Sequence, residues 1–508
     1  MDRGHRRLRR DMLKGMAAGA AMLASPLGIG KAFANHGQVG LPGSIAEAGK
    51  LLKSGRVSVT ELITTYLRGA RTLEPTLNSF ITITELQALA TALALDVDLR
   101  RGNWRGPLHG IPVVLKDNID TAGILTTRGS QFFSTRVATS DAQVVRKLKA
   151  AGAVVVGKAN MNEFAAGVAG FNQFYGTAGN PWDLLRWPGG SSSGSGVSVA
   201  AGLALAGLGT DTGVSIRGPA SWLGLVGVRP SYGRVSVRGT FPRAQTFDTV
   251  GPLTRTVEDA AAVLQAIAGF DPLDPFAVKA PQDDFGADIG RGVRGLRLGI
   301  VEDFTFRNVD PEVQGVVQKA LGRLADAGAH IKTVKIPLLS GKIDFQYPLT
   351  ILLYEFNQIL GDTFRAAPDK SQFGPVVQAN IAQGEAISAD TYNARIAGRP
   401  AEIDEIRKVF DSVDAFITPT HAFVAPPLTV NAEGDPGVRQ FTVPISYTGF
   451  PAVSVPCGFN SAGLPVGMQI VGEDFDERLL FRIAAEVEDN TRGVPTTPPI
   501  HWNGAIDT

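Results

Sequence analysis

Serines set among glycines are the residues of this chain that could do chemistry. Between residues 189 and 227, eleven of 39 positions are glycine, against 59 in the whole chain. The segment opens PGGSSSGSG, passes through VSVAAGLALAGLG and reaches TDTGVSIRGPAS. Gly-Ser runs are often flexible linkers, but here an apolar run that reads as helix over 197–206 follows at once. Glycines beside a helix start let backbone N–H groups crowd around a small anionic centre. The chemistry this predicts is an oxyanion or phosphate cradle.

Familiar motifs narrow the choice. Gly190 to Gly194 match the G-x-S-x-G elbow of α/β-hydrolases, which needs a buried strand directly before it. Trp187-Pro188-Gly189 is no strand. Residues 152–158 match most of a phosphate-binding loop, yet Ala159 stands where Ser or Thr is required and the AVVV middle reads as strand. No Ser-x-x-Lys occurs, which argues against a β-lactamase-like site. A single cysteine, Cys457, can make neither an internal disulfide nor a cysteine-rich metal site, and it reads as a small core residue. The six histidines are scattered, so neither a metal nor a cofactor is expected.

The elements that must position these residues alternate in type. Residues 45–72 have helical spacing, with Ser58 and Thr60 as caps for the second half. Residues 85–101 read as helix, and so do 141–151, stopped by Gly152 ahead of a strand over 153–156. The helix-Gly-Ala-strand unit recurs at 311–336. A helix over 257–269 opens with Thr256 and Asp259 in capping-box spacing. Late strands are expected at 415–417, 452–456 and 468–471. This alternation argues for a sheet covered on both faces. Residues 340–400 are weakly periodic and aromatic-rich, with Phe345, Tyr347, Tyr354, Phe356 and Phe364, and read as an excursion from the sheet. These rings either line a substrate pocket or pack a helix on the core.

Composition sets the outer bounds. The chain has 508 residues, 49 basic and 48 acidic, for a formal charge of +1. That balance gives no footprint for nucleic acid. An apolar fraction of 44% supplies a core, and 19% charged residues is too few for a disordered chain. The first 34 residues differ in texture, with seven basic residues against two acidic. An uncharged run over 15–30 follows, too short for a membrane span, and Ala32-Phe33-Ala34 is a small-x-small cleavage site. This pattern predicts a signal peptide cleaved after Ala34 and a periplasmic or secreted protein. Arg9-Arg10 ahead of Asp11-Met12-Leu13-Lys14 resembles the twin-arginine export signal. No later run is long and apolar enough to span a bilayer. Residues 35–508 are then read as one domain.

Taken together, these stretches resemble the amidase signature family. The resemblance is carried by GGSSSGSG…GTDTGVSIRGPAS, by HGIPVVLKDN from His109 to Asn118, and by residues 126–130. It continues through GAVVVGKANMNE, residues 179–182, 251–254 and 417–420, GFPAVSVPCG and GLPVGMQIVG. Together they span about residues 45 to 490. The fold this implies is a single large α/β/α sandwich around a mixed, twisted β-sheet. The implied device is a Ser-Ser-Lys triad. Matched residue by residue, Ser215 is the nucleophile, Ser191 the bridging serine after a cis peptide bond, and Lys116 the base. Backbone N–H groups of Thr212, Gly213, Val214 and Ser215 would form the oxyanion hole. Asp211 and Arg217 are expected to support that loop, Asp117 to be structural, and Ser192 and Ser193 to be loop residues.

Lysine serves as a base only when neutral, and burial favours that form. Lys116 follows the apolar run Ile111 to Leu115, so its stem can enter the core. The implied reaction is hydrolysis of a small-molecule carboxylic amide through a seryl acyl-enzyme, with esters as side substrates. Two departures from the pattern stand out. Val214 replaces a glycine of the nucleophile loop; a branched residue disfavours positive φ, and its side chain would narrow the acyl pocket. Ser193 stands where glycine is common. The alternatives are an amidotransferase-type subunit that hydrolyses glutamine, and a catalytically silent binding protein on the same fold. A homodimer is compatible with the sequence.

Overall fold

The computed structural model describes residues 38–281, 283–340, 346–491 and 497–507. The leader at 1–34 and Phe345 lie outside the described residues, as does the Tyr347 side chain. In chain order the strands are β1 (Val39–Gly40), β2 (Phe80–Ile83), β3 (Pro112–Lys116), β4 (Val154–Ala159), β5 (Ala206–Asp211), β6 (Val226–Arg229) and β7 (Thr249–Thr254). They continue with β8 (Arg297–Val301), β9 (His330–Val334), β10 (Ala415–Pro419), β11 (Ala452–Phe459), β12 (Pro465–Val471) and β13 (Ala505–Ile506). Eleven of them form one sheet in the order β2-β4-β3-β5-β7-β6-β11-β12-β10-β8-β9. It is mixed: β4, β3 and β5 run parallel, as do β10, β8 and β9, and the strands between pair antiparallel. Helices flank the sheet, so the fold is α/β as the resemblance implies. β1 and β13 form a separate antiparallel pair, with Val39 opposite Ile506.

Local chemistry explains the elements that carry the site. β3 reads PVVLK and is buried along its whole length. Interior parallel strands covered on both faces are continuously apolar, and here only the last residue breaks the run. Val113, Val114 and Leu115 join the largest apolar cluster, which extends to Ile470 of β12 and Phe481. Residues 45–72 divide into two helices, Ile45–Lys53 and Val59–Leu77. Ser58 caps the second in a full capping box with Glu61. Thr256 caps the helix Val257–Ile267 by accepting from the amide of Asp259.

One expected element differs. The helix read over 197–206 is Ser193–Ala200, and Ala206 already belongs to β5. Gly202, at φ +73, breaks the run between them. β5 itself reads AGLGTD and lacks the apolar texture of its neighbours. Its glycines are needed because the helix Ser193–Ala200 lies close: a Cβ on Gly209 would fall 2.7 Å from Ser192 Oγ. Among the described residues no helix is long and apolar enough to cross a membrane.

Candidate active site

Three segments converge at the C-terminal ends of β3 and β5. Lys116 ends β3, and it is fully buried because that strand lies between β4 and β5. Its Nζ lies 2.6 Å from Ser191 Oγ and 2.8 Å from Thr210 Oγ1. Burial is the main influence on this amine. It pulls the pKa from 10.5 down to about 7, against the opposing charges of Asp211 and Asp248. A substantial fraction of the amine is therefore neutral at neutral pH and able to accept a proton.

Ser191 sits just ahead of the helix Ser193–Ala200, after a cis Gly190–Ser191 peptide bond. Two chain segments press on this bend. A Cβ on Gly190 would meet Asn162 Oδ1 at 2.1 Å and the Gly170 amide nitrogen at 2.8 Å, so no other residue fits. The carbonyl of Ser191 accepts from the Asn162 amide at 3.3 Å.

Ser215 lies in the turn between β5 and the helix Arg217–Leu223, and it is 6% exposed. Among the described residues, the backbone N–H groups of Thr212, Gly213, Val214 and Ser215 donate to no acceptor. Four adjacent unpaired donors beside a serine form a ready anion cradle. The Ser215 hydroxyl likewise makes no hydrogen bond with a described residue, so Ser191 is joined directly to Lys116 but not to Ser215.

The loop is held from beneath by a buried charge network. Arg217 donates to both oxygens of Asp211 at 3.0 and 3.1 Å, to Gln469 Oε1 at 2.7 Å, to Ser446 Oγ at 2.7 Å and to the Gly213 carbonyl at 3.0 Å. Arg229 donates to the Asp211 carbonyl at 2.5 Å. Burial alone would raise the Asp211 carboxyl, but Arg217 and Arg229 outweigh it and hold it at about 2. Asp117 is engaged elsewhere, facing Lys158 at 3.1 Å and accepting from Thr127.

The backbone concern raised for Val214 does not arise. Val214 is not among the residues with positive φ, so a branched side chain is accommodated. That side chain is buried with Trp187, Trp222, Ala425 and Val438. It presses on Gly218, where a Cβ would lie 2.6 Å from Val214 Cγ1.

Several participants had no sequence signal. Thr210 holds Lys116 and Asp248 holds Thr212; Thr210 lies within the GTDTGVS stretch without a role of its own there, and Asp248 is an unremarked polar residue in the chain. His421 is buried against Trp222, with ring centroids 4.0 Å apart, and its Nδ1 lies 3.0 Å from the Val438 carbonyl. Burial drives its pKa down to about 3, so it is neutral and a poor base. Of the aromatic residues at 340–400, Phe356 and Phe364 gather with Phe164 and Phe373, whereas Tyr354 stacks on Tyr392.

The family model described as Amidase matches residues 61–481. A glutamyl-tRNA(Gln) amidotransferase subunit of Synechococcus sp. (strain CC9605) is 36% identical over 473 residues, covering 88% of this chain and 96% of that one. Its counterpart in Moorella thermoacetica is 38% identical over 468 residues, with 88% and 96% covered. Among solved structures, the peptide amidase of Stenotrophomonas maltophilia is similar, with a TM-score of 0.80 and 32% identity over 89% of this chain and 98% of that one. A 6-aminohexanoate cyclic dimer hydrolase has a TM-score of 0.82 at 26% identity, over 90% and 98%.

Proposed function

The chain belongs to the amidase signature family, and on that premise we propose that it hydrolyses a carboxylic amide through an acyl-enzyme on Ser215. The observation that carries this reading is the fully buried Lys116 Nζ, 2.6 Å from Ser191 Oγ at the C-terminal end of β3. Neutral Lys116 takes the Ser191 proton, and Ser191 takes that of Ser215 as the latter attacks the carbonyl. The oxyanion is received by the N–H groups of Thr212 to Ser215. Collapse expels ammonia or an amine, protonated through Ser191. Water then attacks the ester by the same relay and frees the acid. Asp211 and Arg217 act as supports of the loop.

Labelling with a fluorophosphonate tests this reading. The parent should be modified at Ser215, and Ser215→Ala should abolish labelling while remaining folded. A folded parent that resists the probe would favour a silent binding protein.

The identity of the amide divides two readings. The curated relatives are amidotransferase subunits, which favours glutamine over the amide of a free-standing enzyme. Export rests on the sequence pattern of residues 1–34 alone. Cell fractionation with N-terminal sequencing separates the two readings. A mature chain starting at Asn35 outside the cytoplasm is incompatible with a role on tRNA, whereas an intact cytoplasmic chain that releases ammonia from glutamine supports it.

A further inference from the structure

Arg128, at the edge of this site, is a cation that forms no ion pair with a described residue. Its amide donates to the carbonyl of Asp117, the residue after Lys116, at 3.3 Å. Its own carbonyl accepts from the Phe164 amide at 2.9 Å, and Asn162, two residues earlier, donates to Ser191. Arg128 thus stands between the segment that carries the base and the segment that braces the bridging serine.

The surrounding charges are already engaged. Lys158 faces Asp117 at 3.1 Å. Arg136 grips both oxygens of Asp120 at 2.7 Å. Glu163 accepts from Ser130 Oγ at 2.6 Å and from the Gly374 amide at 2.8 Å. Among the described residues the Arg128 guanidinium has neither an ion-pair nor a hydrogen-bond partner, and its Nε is buried without an acceptor. Two rings grip the group instead, Phe133 at 4.3 Å and Phe241 at 4.0 Å. Stacking fixes the plane of a guanidinium while leaving its N–H edge free to bind.

The backbone adds a second observation. Arg128 is left-handed at φ 60, and so are Phe164 at 48 and Ala165 at 59. Non-glycine residues rarely adopt this region. Three of them in two hydrogen-bonded segments mark a place where the fold holds unfavourable geometry, as functional sites do.

A half-buried guanidinium with no partner is unfavourable until an anion arrives, and a carboxylate matches its fork in bidentate fashion. We propose that Arg128 determines substrate specificity by binding a carboxylate on the amide substrate, whose hydrocarbon part lies against Phe133 and Phe241. The substrate class is a short aliphatic amide that also carries a carboxylate, such as a dicarboxylic acid monoamide. This inference rests on the reading of Ser215, Ser191 and Lys116 as an amide-cleaving site.

The test compares glutaramate with its neutral counterpart pentanamide. Arg128→Met keeps an unbranched stem against both rings but loses the charge and all donors. It should lower kcat/KM for glutaramate by about 10- to 100-fold, the range for a charged hydrogen-bonded partner, and leave pentanamide within about threefold. Arg128→Lys should fall between. Equal losses on both amides, or none on either, would overturn the proposal. A binding readout is independent of turnover. Ser215→Ala protein should bind glutarate more tightly than pentanoate by tryptophan fluorescence, and adding Arg128→Met should remove the difference. Failure of the single variant to prefer glutarate also overturns the proposal. Failure of the amide-cleaving reading is distinct, since it appears as a folded parent that the fluorophosphonate does not label.

Discussion

The Thr212 hydroxyl donates to Asp248 at 2.5 Å, and the same carboxylate accepts from the amides of Arg243 and Ala244 at 2.7 and 3.1 Å. The segment that carries Asp248 is held from its other side by the helices Gln346–Ala366 and Pro375–Glu385. Arg243 reaches Asn380 and stacks over Phe356 at 3.7 Å, and Thr246 donates to Glu355. One carboxylate therefore links the loop ahead of Ser215 to the aromatic-rich helices.

Asp248→Asn should make that link measurable. Burial raises the Asp248 carboxyl from 3.8 to about 6. The native state binds the extra proton between those values, so Asp248 contributes stability below pH about 4 that is lost as pH rises through about 6. The asparagine variant does not titrate. Its melting temperature should gain on that of the parent as pH is raised from 4 to 7, and a constant difference over that range would contradict the assignment.

Lys116 should set the pH dependence of turnover. With its pKa lowered to about 7, kcat/KM should rise with pH through one ionisation near 7. Lys116→Met should lose about 10²–10⁴-fold in kcat, the usual contribution of a positioned base. Stability should respond in the same window. The parent gains stability as pH rises from about 7 towards 10.5, because its unfolded chain holds the proton longer. The stability gap between variant and parent should shift in the parent's favour over that range, as read by denaturant melts at fixed pH.

Gly190→Ala should be disruptive although it adds one methyl group. The new Cβ would fall 2.1 Å from Asn162 Oδ1 and 2.8 Å from the Gly170 nitrogen. Overpacking of this kind costs about 1–3 kcal/mol. Urea denaturation should show the loss, together with a fall in fluorophosphonate labelling caused by displacement of Ser191.

Arg217→Ala should cost about 3–5 kcal/mol, the penalty for stranding a buried charge. It leaves the Asp211 carboxylate with Arg229 at 3.4 Å and frees the carbonyl of Gly213. Differential scanning calorimetry of the variant should show a melting temperature well below that of the parent. An unchanged value would mean that Arg229 alone neutralises the carboxylate.

Much of this architecture was legible because interior strands are apolar. β4, β11 and β12 announce themselves as Val- or Ile-containing apolar runs and β10 as a short apolar run, and Lys116 is conspicuous as the polar end of PVVLK. β5 was not legible. AGLGTD has little strand texture, since its glycines answer a helix lying across it rather than the sheet itself. The serines were legible only through motif resemblance, because a hydroxyl in a turn looks the same whether or not it reacts. Thr210, Asp248 and Arg128 were hidden for a different reason. Each matters through a partner more than 30 residues away: Lys116, Thr212 or Phe241. Local pattern carries no trace of such pairs.

The β1–β13 pair has a mechanical consequence. Val39 lies opposite Ile506 and Gly40 opposite Ala505, in antiparallel register. Both strands therefore leave the ladder from the same side. A force applied between residues 38 and 507 would open it as a zipper, one residue pair at a time, instead of shearing all its bonds at once. The first yielding event in a single-molecule pulling trace should be weak and release only short segments, well before the eleven-stranded sheet bears load.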